Sequence, residues 1–440
     1  MINGYDIAWG TILGVGAPFW VLHPGARRKV VRALRERMGR GVGREGDHAA
    51  VMVHAVSLGE MNATRAMLRM LADAHPGLRF IVSTTTDTGF ARGRELYGAD
   101  PNVTIIRYPL DFSPAVRRVL DGVRPDVVVL MELEVWPNFI RHCAARGIPV
   151  LLVNGRLTES SFRNYRIGRP LVSGMFSRLA AVCAQDETYA KRFVELGAPP
   201  ERVRVTGTMK FDTAQVADRI EGADVLARSV GLRPGEEPIL VCGSTGPGEE
   251  SLLLDLYREM DPRVRLVLVP RKPERFDEVE ETIRSSDLNV VRRSQPPPAD
   301  ELEEMRNGRR PPVVLVDTMG ELRKFYSVAD VVFVGRTLVD LGARQRGSDM
   351  IEPAALAKPV IVGRFTHNFA DAMRRFMEAD AVKVAGDAEE LGRAIAEVLA
   401  SPDRAAEMGR RAQEVVRREQ GATARHVDLI LAQLNAKYSR

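Results

Sequence analysis

Three glutamates stand where apolar runs end. "VMVHAVSLGEMNATR" (51–65) turns from a strand-like run to a helix at Gly59 and leaves Glu60 in the first helical turn. "VVVLMELEVWPN" (127–138) leaves Glu132 and Glu134 at the tip of a Val/Leu run. A spacing of two puts both on one face if the extended conformation continues. A carboxylate so placed can take a proton from a substrate hydroxyl. It can equally be a first-turn acid that answers the helix dipole. The dipole favours the ionised form, whereas burial beside a second acid favours the neutral one.

The second half carries groups suited to phosphate. "LVCGSTGPGEE" (240–250) reads as strand, glycine-rich turn and helix, so its amides could hold an anion. It matches neither the P-loop nor GxGxxG, and no such glycine motif is followed by an acid about 20 residues on. That argues against a nicotinamide-dependent oxidoreductase. "LVLVPRKPERF" (266–276) places Arg271, Lys272 and Arg275 at the next strand end, as a phosphate clamp or a solvated basic loop. "IEPAALAKPVIVG" (351–363) puts Glu352 at a helix start, suited to ribose hydroxyls or simply to capping.

Elements must hold these residues in place. At 440 residues the chain suits two domains of roughly 200 residues each. Runs at 49–57, 79–86, 102–110, 126–132, 148–154, 179–185 and 203–207 read as strands separated by helical stretches. A second series follows at 238–245, 264–271, 312–318, 329–335 and 358–363. Continuous apolar strands between helices mean parallel sheets covered on both faces. The expected fold is α/β, with two doubly wound Rossmann-like domains at 45–212 and 238–440 and a linker at 213–237. The proline- and charge-rich stretch 294–312 reads as a surface insertion. Open α/β sheets bind ligands at the carboxyl ends of their strands, so two facing sheets would form a deep cleft.

The net charge of +5 hides a local feature. Pro24–Arg44 holds eight Arg/Lys against Glu36 alone, so the rest of the chain is slightly acidic. This argues against a nucleic-acid partner, which needs a basic face on a folded domain. Before it, "IAWGTILGVGAPFWVLH" (7–23) is 17 residues long, below the ~20 apolar residues of a spanning helix. With charges after the apolar stretch, it is no secretory signal. Residues 1–44 read as an anchor in the interface of an anionic membrane, on its cytoplasmic side. The alternative is a helix covering the domain core. Cys143, Cys183 and Cys242 sit in apolar runs without a CxxC pair, and the seven histidines have no zinc-site spacing.

Together the pieces resemble one family, the 3-deoxy-D-manno-octulosonic acid (Kdo) transferases of lipopolysaccharide biosynthesis. The motifs are "HAVSLGE", "MELEVWPN", "VNGRLTESSFRNY", "CAQDETYAKRFVELGA", "VTGTMKFD", "VPRKPERF", "DTMGELRKFYSVADVVFVG", "EPAALAKPVIVG" and "THNFAD", in order from 54 to 371. The resemblance implies two GT-B domains and an inverting, metal-independent transfer of Kdo from CMP-Kdo to a lipid A precursor, with no cofactor. It implies Glu60 as the general base, with Glu132 and Glu134 positioning sugars and Arg156 meeting an acceptor phosphate. It assigns the CMP-Kdo site to Ser244, Thr245, Arg271, Met319, Gly320, Glu321 and Glu352, with Lys210 toward the Kdo carboxylate or phosphate. It implies the cytoplasmic face of the inner membrane.

The chain departs from the family at "RTLVDLGARQRGSDMIEPA" (336–354), where Ser348 and Asp349 replace the usual His and Asn and Met350 the usual proline. Two alternatives follow. One is a GT-B enzyme that uses another nucleotide sugar. The other is a nonenzymatic membrane-surface binding protein on a decayed transferase fold.

Overall fold

The computed structural model describes residues 3–7, 10–11, 33–44, 46–308, 310–342 and 347–438, with 169–172 as backbone only. The chain forms two compact units. One runs to Thr213 and takes up the chain again from Gln420; the other is Ala214–Glu419.

The first unit contains β1 (Ala50–His54), β2 (Arg79–Thr84), β3 (Val103–Arg107), β4 (Val127–Met131), β5 (Val150–Gly155), β6 (Ala181–Ala184) and β7 (Val203–Val205). They form one parallel sheet in the order β3-β2-β1-β4-β5-β6-β7. β1, β4 and β5 are buried along their whole length, which is why their sequences are apolar without alternation. The order reverses between β1 and β4. Such a switch point leaves a crevice at the carboxyl ends of the two strands, and those ends carry the Glu60 and Glu132 segments.

The second unit repeats the design with β8 (Ile239–Thr245), β9 (Arg265–Pro270), β10 (Val290–Arg292), β11 (Val313–Leu315), β12 (Val331–Val334), β13 (Val360–Gly363) and β14 (Lys383–Ala385). The order is β10-β11-β9-β8-β12-β13-β14, so the switch point lies between β8 and β12. β10 and β14 have no counterpart in the sequence reading, because three residues at a sheet edge leave no apolar run. The 294–312 stretch contains a helix, Ala299–Arg306, seated by buried Leu302 and an Arg306–Glu237 ion pair at 2.6 Å.

Two boundaries differ from those expected. The helix Ala422–Tyr438 belongs to the first unit, not to a 238–440 domain, because its stripe of Val427, Ile430 and Leu434 completes the core over β1 and β4. Asp212 secures its start by accepting from the Gly421 and Thr423 amides. The 213–237 segment includes a helix, Ala223–Arg228, and packs within the second unit, where Ala217 N donates to Ala355 O at 3.2 Å.

The described part of residues 1–44 packs against the first unit. Asp6 is buried and accepts from Ser113 N at 2.8 Å, Asn138 Nδ2 at 2.9 Å and Asn3 N at 2.9 Å. Asp111 beside it accepts from the Asn138 and Phe139 amides. Two helix N-termini, at Ser113 and Pro137, are thus tied to the start of the chain. Further on, Leu110 N donates to Arg37 O and Arg44 N to Gly122 O. Residues 8–9 and 12–32, which hold most of the apolar run 7–23 and the start of the basic segment, lie outside the described residues. Among those described, no helix is long and apolar enough to cross a membrane.

Asp6→Ala is therefore expected to destabilise the first unit by about 2–4 kcal/mol, since it strips charge-assisted bonds from buried donors. Urea unfolding read by tryptophan fluorescence measures this, and an unmoved midpoint would mean that the segment fastens nothing. The pair also sets a pH signature. Burial opposes ionisation of Asp6, but its donors outweigh burial and hold the carboxyl below the usual range, so its stabilisation is lost at acid pH. Burial pushes Asp111 up to about 6, so its contribution is full below about 3.8 and lost as pH rises through 6.

Candidate active site

In the first unit the helix Leu58–Ala74 starts with a capping box. Ser57 Oγ accepts from Glu60 N at 3.2 Å, while Glu60 Oε2 and Oε1 accept from Val56 N at 3.0 Å and Ser57 N at 3.1 Å. Glu60 is thus a capping acid, and its carboxylate is fixed at the switch point. Each oxygen accepts one amide and keeps a further lone pair.

Glu132 does not continue the strand. Its φ is +55°, in the left-handed region, and the chain turns there before helix Pro137–Ala144. The shared face expected from extended spacing is therefore absent, and the turn itself keeps both acids close to Glu60. Burial raises the Glu132 carboxyl, Glu60 adds to this, and Arg156 and Lys210 oppose it. Burial also raises Glu134, against the indole N–H of Trp136, which donates to Oε2 at 3.1 Å. Glu60, Glu132, Glu134, Arg156 and Lys210 therefore form one electrostatic group. Asn154, at φ +52°, accepts from Met209 N at 3.1 Å and secures the segment leading to Lys210. The sequence reading missed Asn154 and His54. The available signal for His54 was a polar residue inside a strand with every position buried.

In the second unit Ser244, the last residue but one of β8, stands at φ +56°, and Thr245, which ends the strand, is fully buried. Backbone strain at both switch points, Glu132 and Ser244, is what functional sites tend to store. One amide of the turn proposed to hold an anion, that of Gly246, is occupied from within. Glu249 accepts from Gly246 N at 2.9 Å, Arg336 N at 2.6 Å, Thr337 N at 2.9 Å and Leu338 N at 3.0 Å. The protein's own carboxylate fills that nest. Arg275 is likewise committed, bidentate to Glu250 at 2.7 and 3.1 Å and paired to Glu278 at 2.7 Å.

Arg271 stays exposed at the end of β9. Glu352 lies half-buried on a one-turn helix, Ile351–Ala354. Burial raises its carboxyl, Asp349 adds to this, and Arg323 and Arg271 oppose it. Tyr326 sits beneath the same group, and a side chain at Gly243 would meet its hydroxyl at 2.0 Å, so only glycine fits there. The departing loop is well used locally. Ser348 Oγ donates to Ser244 O at 3.1 Å, Asp349 Oδ1 accepts from Ile351 N at 2.8 Å, and Met350 is buried. Met319 and Gly320 are exposed on the loop after β11. Glu321 accepts from Arg293 at 3.0 Å and from the Thr318 hydroxyl.

A family model described as 3-Deoxy-D-manno-octulosonic-acid transferase (kdotransferase) matches residues 32–213. The chain is 32% identical to the 3-deoxy-D-manno-octulosonic acid transferase of Haemophilus influenzae over 384 residues, 86% of each protein. It is 34% identical to the Bordetella pertussis protein of that name over 392 residues, 87% of each. Among solved structures, Anabaena Alr3699/HepE in complex with UDP aligns with a TM-score of 0.56, covering 89% of this chain and 100% of that one at 14% identity, a likeness of fold. With the two doubly wound sheets of the GT-B type, these relatives show that the chain belongs to the Kdo transferases, glycosyltransferases of lipopolysaccharide biosynthesis.

Proposed function

We propose that this enzyme transfers Kdo with inversion from CMP-Kdo to the lipid A precursor lipid IVA, with Glu60 as general base. One observation carries the reading: a Glu60 carboxylate held by two amides at a switch point, among two further acids and two cations. The base takes the proton of the acceptor hydroxyl, the freed oxygen bonds to the anomeric carbon of Kdo, and the bond to CMP breaks with its electron pair leaving on phosphate. Arg156 and Lys210 offset the phosphates or the sugar carboxylate, and Glu132 and Glu134 orient hydroxyls. On the donor side Arg271 takes the phosphate and Glu352 the ribose hydroxyls, with Ser244, Thr245, Met319, Gly320 and Glu321 framing the nucleotide. No cofactor enters this scheme, since the nucleotide is itself the leaving group. The enzyme works at the cytoplasmic face of the inner membrane, with residues 7–44 on its anionic surface.

Asp349 beside Glu352 adds negative charge where a nucleotide would approach, which motivates a second reading with a different nucleotide sugar. Purified protein with CMP-Kdo and lipid IVA is expected to release CMP only when acceptor is present, and product mass counts the sugars. Release from UDP or GDP sugars alone would establish the second reading. Silence with every donor, but binding to anionic vesicles, would leave a nonenzymatic membrane protein.

A further inference from the structure

His54 ends β1 with no exposed surface, its ring stacked on Tyr108 with centroids 3.8 Å apart. Its Nδ1 lies 3.0 Å from the Ser83 carbonyl oxygen and 3.1 Å from Ser83 Oγ. A carbonyl only accepts, so Nδ1 carries the ring proton and Nε2 presents a bare lone pair. Nε2 is buried without a hydrogen-bond partner among the described residues, and it faces Glu134 Oε2 at 3.8 Å. Two acceptors opposed in a buried place are unfavourable unless a proton lies between them.

We propose that His54 is a positioning residue whose Nε2 lone pair holds Glu134 as a neutral carboxylic acid. It rests on the reading of Glu60 as the ionised base of the same site. The 3.8 Å separation exceeds a hydrogen bond. The broad terminal torsion of a glutamate lets an oxygen swing toward Nε2, and apo sites commonly tighten only when ligand binds. Burial pushes the imidazole down to about 3, and Arg37 adds to this, so the proton stays on the carboxyl. Glu134 is faced by Glu60 from the Leu58–Ala74 helix, by Glu132 two residues before it, by the Trp136 indole, by Tyr108 after β3 and by Tyr165 from helix Glu159–Ile167. None of these supplies a positive charge that would favour its anion. Of the three acids, a neutral Glu134 leaves two carboxylates against Arg156 and Lys210.

The test is the pH profile of kcat/KM for the full chain. The wild type is expected to lose activity on the alkaline side as Glu134 gives up its proton. His54→Phe keeps the ring stack but lacks the lone pair, so that limb should move about one pH unit lower, with the acid limb unmoved. His54→Gln, whose amide oxygen reaches the Nε2 position, should restore it. Coincident alkaline limbs in wild type and His54→Phe would overturn the proposal. Should His54→Phe not fold, the infrared difference between wild type and Glu134→Gln at neutral pH decides. A protonated-carboxyl carbonyl band lost with Glu134 supports the proposal, and its absence overturns it. An active Glu60→Gln protein that retained the band would remove the base and leave the His54–Glu134 pair standing.

Discussion

Glu60→Gln is expected to lower kcat by about 10²–10⁴-fold with KM little changed, the loss that follows removal of a positioned general base. The isosteric amide removes the proton acceptor and keeps the shape of the capping box. One carboxylate oxygen becomes an NH2 group facing a backbone N–H of Val56 or Ser57, so a stability loss of about 1 kcal/mol accompanies the kinetic one. That is too little to unfold a protein and far too little to explain the rate. Acceptor-dependent CMP release, beside circular dichroism of both proteins, measures the two effects separately. A Gln protein that turns over at the wild-type rate would reduce Glu60 to its capping role.

Glu249→Ala is expected to be the most destabilising single change on the donor side, by about 3–5 kcal/mol, because it orphans four amides together. The carboxylate joins the turn after β8 to the Arg336–Leu338 segment after β12. Burial raises its carboxyl and the four amides oppose this, so the bonds act against the full cost of desolvation. The three tryptophans, at positions 9, 20 and 136, all lie outside Ala214–Glu419. Hydrogen exchange of the full chain resolves it: the amides of Gly246 and of 336–338 should exchange much faster in the variant. Unchanged protection there would mean that the loop is held by other contacts. The first unit should be unaffected, since Glu249 belongs to the other.

The pattern of apolar runs determined most of the architecture. Strands such as Val127–Met131 and Arg265–Pro270, buried throughout and separated by helices, have no stable arrangement other than a parallel sheet covered on both faces. The same pattern placed Glu60, Glu132, Ser244 and Arg271 at strand ends, because an apolar run stops where the chain leaves the core. Tertiary structure decided what local pattern does not encode. Glu132 turns into the left-handed region instead of extending, since the neighbouring Val153 and Arg156 backbone captures it on both sides. Glu249 accepts from one amide of the turn that reads from sequence as an anion site, and its other three donors come from a segment about ninety residues away. Asp6 fastens helices that begin at Ser113 and Pro137, a contact between residues more than a hundred positions apart. The stripe of Val427, Ile430 and Leu434 states that its helix is covered but not by which sheet. Burial is written in residue type, which a linear chain displays. The partner of a buried group is a matter of distance in space, and only the folded chain sets that.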